Sequence, residues 1–79
     1  MSEFTPDVTL DNSGLACPMP IIKTKKVIDG MQVGQVLKMI ATDPGSVSDV
    51  QAWVKKTGHE LLQHEQEGDK YIFFIRKAK

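Results

Sequence analysis

Residues 35–42 carry Val36, Leu37, Met39, Ile40 and Ala41 in near succession. An apolar run this continuous reads as a central strand, and a central strand needs others beside it. Residues 8–11 read as a short first strand. Residues 61–67 and 70–77 read as two more, joined by Gly68-Asp69, a pair suited to a tight hairpin turn. In the last strand Tyr71, Phe73 and Ile75 fall on one side, and Ile72 and Phe74 on the other.

Two segments between these strands have helical spacing instead. Asn12, Ser13 and Gly14 make a turn, and Cys17-Pro18-Met19-Pro20 opens a helix. Proline suits a first helical turn because its missing N–H would be unpaired there anyway. Ile21, Val27, Ile28 and Met31 form one stripe with Thr24, and Gly30 is a natural stop. After the central strand, Asp43-Pro44-Gly45-Ser46 is dense in turn and capping residues. Ser46 with Asp49 has capping-box spacing, and Asp43 is an equally good cap. The second helix buries Val47, Val50, Trp53 and Val54, runs to about residue 56 and ends at Gly58.

The order is therefore β-α-β-α-β-β. Right-handed crossovers favour both helices on one sheet face. The predicted fold class is α/β (α+β), a two-layer sandwich. With 79 residues the chain makes a single domain, 1–79, whose first seven residues, polar and carrying Pro6, are expected to be loose.

Composition narrows the function. Apolar residues at 41% and charged residues at 25% match a globular domain and argue against disorder. Ten basic and ten acidic residues cancel, so a strongly cationic nucleic-acid binder is not expected, because phosphate neutralisation needs surplus Lys and Arg. No apolar run approaches the roughly 20 residues of a membrane span. The first residues lack the basic-then-apolar pattern of a signal peptide. The single cysteine, Cys17, cannot form an internal disulfide. Together these features favour a reducing, cytoplasmic setting.

Cys17 stands at the start of a predicted helix. Backbone N–H groups there lack helical partners, and the helix dipole adds partial positive charge. Both lower a thiol pKa from its usual value of about 8.5, and the thiolate is the form that attacks sulfur. The same N–H groups suit a terminal persulfide anion. Pro18 and Pro20 stiffen this turn, which favours a sulfur kept at the surface. A free cysteine is about as often a small buried hydrophobe, but the helix start and the flanking prolines favour reactivity. With no second cysteine an internal dithiol cycle is excluded.

The elements Asp11-x-x-Gly14-Leu15-x-Cys17-Pro18-x-Pro20, Ile40-Ala41-Thr42-Asp43-Pro44 and Tyr71-x-Phe73-x-Ile75-Arg76-Lys77 together span most of the chain. In this pattern the sequence resembles the TusA/SirA family of sulfur-carrier proteins. The resemblance implies a mixed four-stranded sheet layered against two helices, and a persulfide carried on Cys17. Asp11, Gly14, Pro18 and Pro20 are then its supporting motif. It implies a cysteine desulfurase or rhodanese-like sulfur donor and a DsrE-like or other relay protein as acceptor. The destination is tRNA 2-thiouridine formation, sulfur oxidation or molybdenum-cofactor enzymes. Some members of the family carry a further cysteine in the second helix; this chain has none.

On the first helix Met19, Ile22, Lys23 and Lys26 point away from the buried stripe. They are expected to form a docking face beside the cysteine, because Met-containing surfaces adapt to several partners. His59 and His64 have no ligand-like spacing, so neither a metal nor any other cofactor is expected. Arg76, Lys77 and Lys79 read as a solubilising end, and Glu60, Glu65, Glu67 and Asp69 as edge protection around the last hairpin. The leading expectation is a carrier-type sulfurtransferase. Its rival is a regulatory interaction module in which Cys17 only packs.

Overall fold

The computed structural model describes residues 5–16 and 19–79. Its elements follow the predicted order: β1 (Val8–Asn12), α1 (Met19–Asp29), β2 (Val36–Ala41), α2 (Ser46–Thr57), β3 (Glu60–Glu67) and β4 (Lys70–Arg76). The four strands form one sheet in the order β1-β2-β4-β3. β1 runs parallel to β2, which is antiparallel to β4, which is antiparallel to β3. The sheet is therefore mixed, and the fold is the expected α+β sandwich.

Alternation along the strands builds the core. Leu37, Met39 and Ala41 of β2, and Phe73 and Ile75 of β4, are sealed against Ile28 of α1 and Val50, Trp53 and Val54 of α2. Since these strand residues alternate, both helices lie on one sheet face. The reading of strand 35–42 is corrected in one respect. β2 alternates between buried and half-buried, whereas β4 buries four residues in succession, from Ile72 to Ile75. β4 is the strand whose two faces are both covered. On its helix-free face Phe74 pairs across strands with Lys38 and Gln63, and Ile72 pairs with Ile40 and Glu65. Long polar side chains can lay apolar stems over such neighbours.

Three local readings also change. In α1 the sealed stripe is Pro20, Thr24 and Ile28, with Ile21 and Val27 half-buried against the core. The α2 N-cap is Gly45, with no side-chain cap; neither Ser46 nor Asp43 fills that role. The Asp43 carboxylate instead accepts from the Gly45 N–H at 3.1 Å, and the buried Ser46 hydroxyl has no partner among the described residues. Finally Asp7, placed by sequence in the loose segment, is tied to β2. Its N–H donates to the Val36 carbonyl, and its carboxylate accepts from the Val36 N–H, both at 2.8 Å. Gly58 caps α2 as expected, in the left-handed region at φ 83°, its N–H donating to the Val54 carbonyl.

Candidate functional site

Because β1 and β2 are parallel, their C-terminal ends lie side by side, Asn12 opposite Ala41. The chain leaves that edge twice, through residues 13–18 into α1 and through residues 42–45 into α2. The two exits and the amino ends of both helices therefore share one end of the molecule, the usual place for function in sheets with parallel strands. A bond between the exits joins them: the Gly14 N–H donates to the Thr42 hydroxyl at 2.9 Å.

The first exit is anchored residue by residue. Asp11 is exposed, and its carboxylate accepts from the Ser13 N–H at 2.9 Å. Hydrogen bonds from the Ser13 hydroxyl, and then from its backbone, hold the Asp11 carboxyl below the ordinary carboxylate value. The Leu15 N–H donates to the Asn12 carbonyl at 3.1 Å. Gly14 adopts φ 83°, a conformation that side chains resist. On the far side the Met19 N–H donates to the Ala16 carbonyl. The Pro20 carbonyl accepts from two side chains, the Thr24 hydroxyl at 2.7 Å and the Asn12 carboxamide at 3.2 Å.

Of the sequence-predicted site residues, Asp11 and Gly14 belong to the β1 exit, and Pro20 is buried in the first turn of α1. Cys17 and Pro18 lie outside the described residues. Met19 and Ile22 are 42% and 48% exposed, and Lys23 and Lys26 are exposed too. The four follow i, i+3, i+4, i+7 spacing and so share one helix face. The first turn of α1 carries no acidic residue. Asn12, a turn residue by its place in the sequence, is the buried last residue of β1. A signal existed: Asn12 has the same strand parity as Val8 and Leu10, which pack on the core.

The remaining candidates are engaged elsewhere. Among the described residues no group of His, Cys, Asp and Glu is placed to hold a metal ion. The His59 ring accepts from the Ala78 N–H at Nδ1 and lies 5.5 Å from the Trp53 ring. His64 stacks over Phe73. Arg76 pairs with Glu60, and Lys77 bonds to the end of α1. No helix among the described residues is long and apolar enough to cross a membrane.

Comparison with known proteins agrees with this architecture. Over residues 8–77 the chain matches the family described as sulfurtransferase TusA. A sulfur carrier protein TusA from Allochromatium vinosum is 51% identical over 78 residues, covering 99% of this chain and 100% of the relative. A Pseudomonas putida protein of the same name is 42% identical over 77 residues, covering 98% of this chain and 96% of the relative. A crystal structure of a SirA-like protein from Desulfitobacterium hafniense has the same fold. It superimposes with a TM-score of 0.77 over 91% of this chain and 99% of its own, at 22% identity. With a match that takes in every strand and both helices, this chain belongs to the TusA sulfurtransferase family.

Proposed function

We propose that this protein is a cytoplasmic sulfur carrier that accepts sulfane sulfur as a persulfide on Cys17 and passes it to another protein. The observation that carries the reading is the full-length likeness to proteins named as sulfur carriers, combined with the place of Cys17 two positions before the first residue of α1. Asp11, Gly14, Pro18 and Pro20 support that segment. The chemistry conserves electrons. The Cys17 thiolate attacks the outer sulfur of a donor persulfide, the new sulfur–sulfur bond forms as the donor's breaks, and the donor leaves as its thiolate. An acceptor thiolate then attacks the outer sulfur held on Cys17, and Cys17 leaves as thiolate.

The donor is a cysteine desulfurase or a rhodanese-like protein, and the acceptor is a DsrE-like or other relay protein. tRNA 2-thiouridine formation and sulfur oxidation are the two destinations. Met19, Ile22, Lys23 and Lys26 supply the docking face: apolar contact area with two cations behind it suits acidic partner surfaces.

Intact-mass measurement tests the reading. Incubation with a cysteine desulfurase and free cysteine adds about 32 Da for each sulfur bound, and Cys17→Ala abolishes the gain. A parent protein that gains nothing from either donor class overturns the carrier reading and leaves the interaction module.

A further inference from the structure

We propose that Asn12 is a positioning residue for the sulfur-bearing segment, its buried carboxamide pinning the first turn of α1 to the end of β1. The inference rests on the proposed role of Cys17 and concerns how that residue is held.

Asn12 and Pro20 bracket the segment that contains Cys17. The Asn12 Nδ2 donates to the Pro20 carbonyl across eight positions of sequence, so one side chain joins the two ends of the excursion. The Thr24 hydroxyl bonds the same carbonyl, but from inside α1. It satisfies the oxygen and ties the helix to nothing else. Among the described residues, the Asn12 bond is the one side-chain hydrogen bond that joins the first turn of α1 to β1.

Folding alone gives a poor account of Asn12. The residue is fully buried, yet its Oδ1 has no partner among the described residues. An apolar residue of similar shape would leave no orphaned acceptor, and the Pro20 carbonyl would still be satisfied by Thr24. The other unpartnered buried side-chain atom among the described residues is the Ser46 hydroxyl oxygen, at the first residue of α2. Ser46 donates its N–H to the Asp43 carbonyl, two residues beyond β2. Both atoms therefore lie at the end of the molecule from which segment 13–18 departs. Local breaches of polar satisfaction are expected at functional sites, where they are offset elsewhere in the fold.

The test measures Cys17 alkylation by iodoacetamide against pH on the reduced full chain, for the parent, Asn12→Ala and Thr24→Val. Asn12→Ala is expected to remain folded and to move the profile to higher pH, changing the rate at pH 7 by about two-fold or more. Thr24→Val is expected to keep the parent profile. An Asn12→Ala profile that superimposes on the parent overturns the proposal, as does an equal displacement in Thr24→Val. If Asn12→Ala does not fold, Asn12→Leu replaces it under the same criteria. The parent gives an independent reading: the Asn12 side-chain amide resonances should titrate with the Cys17 thiol and move on its alkylation, and invariance overturns the proposal. None of these readouts uses persulfide loading, so failure of the carrier reading is seen separately in the mass assay.

Discussion

The Lys77 ammonium donates to the main-chain carbonyl of Met31 at 2.7 Å, across 46 positions of sequence, and reaches the Asp29 carbonyl at 3.3 Å. The last carbonyls of a helix lack partners and carry partial negative charge. α1 is thus capped by a cation from beyond the end of β4. The Lys77 backbone holds the side chain in place: its N–H donates to the Gln35 carbonyl, and its carbonyl accepts from the Gly34 N–H. Lys77→Met keeps the stem and removes the charge. It should destabilise the fold by about 1 kcal/mol, which thermal unfolding reads as a fall of roughly 4–8 °C for a domain of this size. An unchanged midpoint would show that water serves those carbonyls equally well.

Stability should fall as the solution is acidified below neutrality. Desolvation first, and then the Lys77 and Lys79 charges, push the His59 pKa below its ordinary 6.5, with Asp29 opposing. The unfolded chain therefore binds more protons than the native one in the window just under 6.5. The His59 contribution is complete above that value and is lost as pH falls through the lower native value. Protonation also removes the Nδ1 acceptor used by the Ala78 N–H. Urea unfolding between pH 7.5 and 5 should show this slope, and His59→Gln should flatten it.

Gly14→Ala separates conformation from crowding. A Cβ at Gly14 meets no atom of the described residues within 4 Å beyond its chain neighbours, but φ is 83°. The expected penalty is therefore backbone strain, about 1 kcal/mol. Thermal unfolding should register that loss, with a Gly14→Asn variant closer to the parent because Asn tolerates the left-handed region.

Charge reversal on the exposed face of α1 should affect transfer and not folding. Lys23 and Lys26 are exposed, and neither takes part in a salt bridge among the described residues. Lys23→Glu with Lys26→Glu should slow sulfur acceptance from a desulfurase by about three-fold or more at low salt, with the difference shrinking as ionic strength rises. Parent-like transfer rates in the double variant would remove this face from the docking surface.

The order of elements, the final hairpin, the Gly58 cap and the exposure of Met19, Ile22, Lys23 and Lys26 were legible in the sequence because each depends on residues a few positions apart. Periodicity, turn chemistry and left-handed glycines act over one or two turns of chain. The tertiary structure decided the rest. One face of β4 is covered by the two helices, and the other by side chains of its neighbours β2 and β3. Asn12 became a buried clamp because β1 lies under the first turn of α1. Lys77 became a helix cap because β4 ends beside the end of α1. One local outcome was also not legible: Gly45, and neither Ser46 nor Asp43, is the α2 N-cap, because the turn from Asp43 to Ser46 closes on the Asp43 carboxylate and carbonyl. The strand and clamp outcomes rest on contacts between segments far apart in sequence, and a single chain's composition and spacing carry no record of which distant neighbour a polar group will meet.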